Sequence, residues 1–321
     1  MRAAWFAGAW LVACSGGGDS DGTASDGTGT GTGTEVTFDD FITLDGAPAI
    51  DAADAACFTP GADWATTSWL TQTATPGGSF PLTGAVEDFE SGDPVDDATV
   101  ELWFTDVVAG VADATSVSDV NGTVSFGEAP TCEVMTYRVT TDPILAETKT
   151  TFKAHQVYSP PPGGTGSVTD AIFLSVSSVT YQLIPSILGV SVDDDKAVIA
   201  GTAFGCGRDP SLPTDDDSDK LEGVQVIVYD EAGNIPQSLT VNYFVDDFPN
   251  RDQPWTSPDG LWVAANVPAG NLRVEMWGLV GGAPTLLGAT QVLSEAGSIN
   301  IGNLFTGYGD GVKYPEGCVA P

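Results

Sequence analysis

Positive charge is scarce in this sequence of 321 residues. Ten Lys and Arg face 44 Asp and Glu, a formal net charge of −34, and no cation lies between residues 15 and 137, a stretch holding 22 acids. Such a surface repels phosphate backbones and anionic headgroups, which excludes nucleic acid as a partner and docking on lipid through protein charge. There is one histidine, His155, no CxxC pair and no GxSxG elbow. One imidazole among many serines supports neither a catalytic triad nor a zinc site. Carboxylate pairs for glycoside hydrolysis carry no signal where acids are so common. Apolar runs of membrane length are missing too: the longest, residues 3–13, is too short to span a bilayer. Apolar residues at helical spacing are almost absent. What remains is rich in Gly, Pro and short alternating apolar runs, the profile of an all-β chain with many turns.

The N-terminus is readable as a leader. Met1 and Arg2 precede the apolar run, which suits the h-region of a signal peptide. Leu11-Val12-Ala13-Cys14 resembles the lipobox of bacterial lipoproteins, with a small residue before the cysteine and leucine three before it. The resemblance implies that Cys14 is acylated and becomes the mature N-terminus, and Ser15 after it implies the outer membrane of a Gram-negative cell envelope. Residues 15–35 hold only Gly, Ser, Asp, Thr, Ala and one Glu. They cannot build a core and are expected to form a flexible tether with a mean span of roughly 25 Å. Setting Cys14 aside leaves Cys57, Cys132, Cys206 and Cys318, an even number in an oxidising compartment. Three pairings are open. Cys57–Cys132 with Cys206–Cys318 keeps each bridge inside one expected domain.

Two segments share a pattern. "LTGAVEDFESGDPVDDATVELWF" (82–104), "SDVNGTVSF" (118–126) and "MTYRVTT" (135–141) are matched by "IAGTAFG" (199–205), "LEGVQVIVYD" (221–230), "TSPDGLWVA" (256–264) and "NLRVEMWG" (271–278). Val100, Leu102 and Phe104, and likewise Val224, Val226 and Val228, recur at every second position, so one face of each strand meets a core. Asn121-Gly122 and Asp259-Gly260 are turn dipeptides that accept positive φ. The series resembles the carboxypeptidase regulatory-like and transthyretin-like β-sandwiches, with a glycine-bearing first strand, "A-x-V-x-L", "D-x-x-G" and, in the second copy, "NVPAGNLRVE". The resemblance implies binding, adhesive or accessory modules and brings no catalytic residues.

Between the copies, Val179, Leu183, Ile184 and Ile187 have helical spacing, with Ser177 or Ser178 as a cap, Gly189 as a stop and Pro185 as an interruption. The expected organisation is a leader (1–14), a tether (15–35), a first β-sandwich (36–172), a short helical connector (173–192) packed between the sandwiches, and a second β-sandwich (193–321). His155 falls on what reads as the last strand of the first sandwich. Calcium is the one candidate cofactor, through Asp193, Asp194 and Asp195 at the junction or Asp215, Asp216, Asp217 and Asp219 in a loop, although neither set fits an EF-hand. Trp255, flanked by Pro and polar residues, is the candidate ligand contact for a glycan; Trp64, Trp69, Trp103, Trp262 and Trp277 are the other aromatics of that class. The function these features imply is a non-catalytic envelope lipoprotein, structural, adhesive or protein-binding, its only membrane contact the lipid anchor. A carbohydrate-binding lipoprotein is the alternative. A hydrolase gathering acids around His155 is more distant.

Overall fold

The structure, a computed structural model, describes residues 37–55, 77–105, 108–142, 148–160, 166–206, 220–306 and 318. Cys14, Cys57, Trp64, Trp69 and Asp215 to Asp219 lie outside them. The fold is all-β, as expected. The first unit contains β1 (Ser79–Asp88), β2 (Thr99–Trp103), β3 (Ala114–Val117), β4 (Thr123–Pro130), β5 (Val134–Thr140), β6 (Thr148–Lys149), β7 (Thr151–Val157) and β8 (Val168–Ser177). The second contains β9 (Lys196–Phe204), β10 (Gln225–Tyr229), β11 (Thr240–Val245), β12 (Phe248–Asn250), β13 (Leu261–Pro268), β14 (Gly270–Val280), β15 (Ala283–Ser294), β16 (Ile299–Ile301) and β17 (Leu304–Phe305). Two single-turn helices, α1 (Phe38–Phe41) and α2 (Ala52–Ala55), precede them, and α3 (Ser178–Leu188) joins the units.

The internal repeat is visible in the strand pairing. In each unit the first strand, β1 or β9, lies between an antiparallel neighbour, β4 or β13, and a parallel one, β8 or β16–β17. The facing sheet is β2-β5-β7 in the first unit and β10-β14-β15 in the second. The two repeat glycines occupy the same place. A Cβ on Gly84 would overlap the carbonyl of Ala171, 2.8 Å from its carbon, and one on Gly201 would overlap that of Gly302, 2.6 Å from its carbon. Both sit where the parallel strand crosses too closely for any side chain.

One sheet runs through both units in the order β12-β11-β13-β9-β16-β7-β5-β2-β3. Its seam is β16, which pairs in parallel with β9 on one side and with β7 on the other. Following the register across the seam shows which face each core uses. Ile299 aligns with Thr151 and Val198, and Val139 aligns with Thr151, so the face bearing Tyr137 and Val139 also bears Val198 and Ile299. On this face the β4-β1-β8-β6 sheet closes the first core over Val100, Leu102, Tyr137 and Val139, while α3 covers a smaller core of Val198, Val263, Phe244, Ile299 and Ile301. On the opposite face the β10-β14-β15 sheet closes the second core over Ala197, Ile199, Trp262 and Ala264. Each core has a tyrosine reaching across its sandwich. Leu174 N–H donates to Tyr137 Oη and Val226 N–H to Tyr243 Oη, both at 2.9 Å.

Three expectations are corrected. Residues 37–55, placed by sequence in the first sandwich, pack on the second core. Ile42, Leu44, Ala47 and Ile50 are buried there, Ile50 N–H donates to Leu279 O at 2.8 Å, and Phe38 meets the Trp277 ring edge-on at 4.7 Å. Ile50 lies beside Gly278 on the core side of β14, while Phe38 covers Trp277 on its outer face. Second, the connector is helical only over Ser178–Leu188; residues 173–177 continue β8, and β8 rather than β7 is the last strand of the first unit. The helix begins on Ser177, whose Oγ accepts from Thr180 N–H, and ends on Gly189 in the left-handed region, φ 68°. Third, its packed face is Thr180, Tyr181, Ile184 and Leu188, while Val179, Leu183 and Ile187 point outward, Val179 being 71 % exposed.

Candidate functional site: the junction between the units

The elements that meet at the seam bring together residues far apart in sequence. Cys132, in the turn between β4 and β5, takes the left-handed region, φ 63°, and is bonded to Cys318, 186 residues away. This overturns the pairing within each domain. Cys132 belongs to the first unit, so the bridge ties Cys318 to that unit. Cys206 is also disulfide-bonded, its partner lies outside the described residues, and its N–H donates to Asp54 O at 3.0 Å.

His155 sits at a β-bulge. Tyr137 aligns with Lys153 but Met135 with Gln156, so β7 carries one extra residue, and His155 takes φ 59° to absorb it. The bulge re-aims the imidazole, and its Nε2 hydrogen-bonds the carbonyl of Gln291 on β15 in the second unit. A carbonyl only accepts, so Nε2 carries the proton. The ring thus bridges the units.

Beside it, on the face away from the first core, Arg138 of β5 stands directly opposite Glu101 of β2 and meets it at 2.6 Å. Its guanidinium lies 5.2 Å from the Trp103 ring centroid and 5.9 Å from that of Phe152, and 4.0 Å from Glu295 of the turn entering β16. Trp103 is 4 % exposed, so the alternation that turned it away from the first core turned it into this cluster. A second ion pair lies on the outer face of β14. Arg273 meets Glu275 at 2.9 Å and stacks on Tyr229 at 4.2 Å, and Trp277 Nε1 donates to Glu275 at 3.0 Å. Burial and the nearby Glu275 carboxylate push the Tyr229 hydroxyl up to about 12. These contacts tie neighbouring strands within a sheet, and the Arg138–Glu295 approach reaches the turn before β16; the buried Glu275 carboxylate meets a guanidinium. Sequence reasoning missed Arg138, Glu101, Arg273 and Glu275. The available signal was that Arg138 is the first cation after residue 15.

The remaining candidates are dispersed. Asp195 pairs with Lys196 at 2.8 Å, and Asp193 N–H donates to Asn266 Oδ1, so this acidic run forms the turn into β9. Among the described residues, no three His, Cys, Asp or Glu side chains gather to hold a metal ion. Trp255 is half-buried over the second core, its ring facing Gly46. The loop carrying it is sewn down: Thr256 Oγ1 donates to Leu221 O and accepts from Val224 N–H, and Gln225 donates to Pro254 O. Trp262 is buried and Trp277 half-buried under Phe38.

No protein-family model and no curated protein matches the chain. Among solved structures, the Bacillus anthracis TIE protein superposes with a TM-score of 0.23 and 12% identity, over 70% of this chain and 33% of that one. The shaft pilin SpaA of Lactobacillus rhamnosus GG gives 0.21 and 8%, over 72% and 98%. Catechol 1,2-dioxygenase of Acinetobacter sp. ADP1 gives 0.20 and 15%, over 32% and 52%. The chain thus spans about a third of the TIE protein and half of the dioxygenase. Superpositions this weak carry no argument about the chain.

Proposed function

We propose that this is a non-catalytic module of the bacterial cell envelope, anchored through acylated Cys14 and presenting two fused β-sandwich units to a protein partner. The observation that carries the reading is the seam. A shared strand, a bridge between distant cysteines, the His155 contact and the Arg138 cluster all lock the units into one body. The described ion pairs are used to tie neighbouring strands, which is what a structural or adhesive part requires. The lipobox-like run and the core-less tether of residues 15–35 give that body an attachment and a standoff. The tryptophans described, Trp103, Trp255, Trp262 and Trp277, are buried or half-buried in packing, so a protein partner is favoured over a glycan.

The anchor is tested by feeding cells an alkyne-bearing fatty acid and comparing the wild-type chain with Cys14→Ser. Label on the wild type, absent from the variant, together with release of the variant from the membrane fraction, is the expected outcome. An unlabelled wild type in the soluble fraction overturns the anchoring. Partner binding is tested by crosslinking on intact cells: a protein captured by the wild type and lost when surface charges near the junction are reversed supports it. Turnover of a substrate by the purified chain would refute the non-catalytic role.

A further inference from the structure

We infer that β3 is a docking edge, to which a cationic, extended segment of a partner protein adds as a further antiparallel strand. β3 ends the long sheet, where it pairs with β2. Ser118 N–H donates to Ala98 O at 2.9 Å, and counting back along the register puts Ser116 and Ala114 in the pairs that bond to β2. Thr115 and Val117 therefore turn their N–H and C=O groups away from β2. Among the described residues, none takes these groups. Other edges are blunted. On β4, Thr123 N–H donates to Asp119 Oδ1 and Ser125 N–H to Ser116 Oγ; on β10, Val226 N–H is taken by Tyr243 Oη; β12 carries Pro249. β3 has no proline, no lysine and no bulge. Val117 is 57 % exposed, and Val111 and Val120, on either side of β3 in sequence, are more open still. Bare backbone next to uncovered apolar side chains is what strand addition uses.

Charge selects the occupant. Asp113 and Asp119 flank β3, and Asp97 joins the second end, where its N–H donates to Ser118 O at 3.3 Å. Hydrogen bonds from the Thr123 and Asn121 N–H groups hold the Asp119 carboxyl below the usual carboxylate range, so it stays ionised. No cation stands between residues 15 and 137, and Arg138, the first after them, is already held by Glu101. A second copy of this chain would set acid against acid. Asp113 and Asp119 lie roughly 20 Å apart along an extended strand, so a partner strand with Lys or Arg at the same spacing meets both ends. The register carries a row from Thr115 through Glu101 to Arg138, so the docked strand continues the sheet that holds the junction cluster.

The docking edge rests on the reading that the chain binds a protein, and its probe is chosen to fail separately: the acetylated, amidated heptapeptide KTVTVTK, added to the purified chain. At about ten times the half-saturating concentration, hydrogen exchange at the Thr115 and Val117 amides, read by NMR, is expected to slow by about tenfold. Val226 N–H, bonded to Tyr243 Oη within the second core, is the reference and is expected to be unchanged. The same peptide N-methylated at both valines keeps its charge but cannot form the ladder, and is expected to give no protection. Val117→Pro removes an outward N–H that β2 does not use and is expected to weaken binding at least about fivefold. Should that variant fail to fold, the two peptides on the wild type decide. No protection at about 1 mM peptide overturns the docking edge, and so does equal binding of the methylated peptide, which marks attraction by charge alone. A protein captured on intact cells through another surface, with β3 left unprotected by the peptide, overturns this edge and leaves the protein-binding reading standing.

Discussion

Lys153 offers the sharpest test of how the first core is built. It lies on β7 directly opposite Tyr137, so its side chain enters the sandwich on the face that carries the core. Burial alone pulls its ammonium down from 10.5 to about 8. A lowered lysine value means that the unfolded chain binds the proton more tightly than the folded one between about pH 8 and 10.5. Below pH 8 both states are protonated and the folded state carries the whole cost of the buried charge. That cost is lifted as pH rises through the window. At about 1.4 kcal/mol per unit, the ceiling is about 3 kcal/mol, and the part of the side chain left in water brings the expectation to about 1–3 kcal/mol. Lys153→Met keeps the length and removes the charge. Urea unfolding at pH 7 is expected to show the variant more stable by that amount, with the difference shrinking steadily between pH 8 and 10.5. Comparing variant with wild type at each pH cancels the buried tyrosines, Tyr137 and Tyr158, which burial pushes upward. A variant no more stable at pH 7, or a gain that persists unchanged above pH 10.5, refutes the placement of Lys153 inside the core.

Further outcomes follow from the same geometry. Replacing Cys132 and Cys318 by Ala frees a ring of 186 residues, worth about 5 kcal/mol on the chain-entropy account and often less in practice, and calorimetry should show the melting temperature lowered by roughly 10 °C; a shift under about 2 °C contradicts it. Gly201→Ala drives a Cβ into the Gly302 carbonyl and is expected to cost about 3 kcal/mol or more, as is Gly84→Ala at the equivalent site, so denaturant midpoints of the two variants should fall together. Asp246 and Asp247 both hold positive φ, 49° and 65°, in the two-residue turn between β11 and β12. Asp247→Gly is expected to stabilise by about 1 kcal/mol, and an unchanged midpoint would show the turn unstrained.

The strands were legible because their chemistry is local. Alternation at Val100 and Leu102 and at Val224, Val226 and Val228 reports one buried face, and all five residues are buried. The turns at Gly122 and Gly260 are likewise local, since both glycines hold the positive φ that their dipeptides announce. The repeat glycines were legible as markers, although their reason, a parallel strand crossing at van der Waals contact, is not. The seam lies beyond such reading. Nothing in "INI" at 299–301 says that it will join two sheets rather than one, because the choice depends on β7 presenting an open edge 142 residues earlier. The disulfide follows from the seam, so a pairing inferred from separate domains had to fail. The outward stripe of α3 failed for a related reason: apolar spacing locates a helix face, and the neighbouring sheets decide which face is covered. Residues 37–55 read as part of the nearest unit in sequence, yet the core that takes up Ile42, Leu44, Ala47 and Ile50 belongs to the other.

The shared strand also sets an order of events during synthesis. The edge of β7 is complete once Val157 has emerged, and its neighbour in the finished sheet, β16, arrives 142 residues later. Throughout that interval the first unit exposes unpaired backbone groups along a strand, the arrangement that recruits other chains. A chain cut short before Ile299 would never lose that exposure, and β9 would be left open as well. Among the described residues, the last few strand residues to be made are therefore what joins two open sheet edges into a single body.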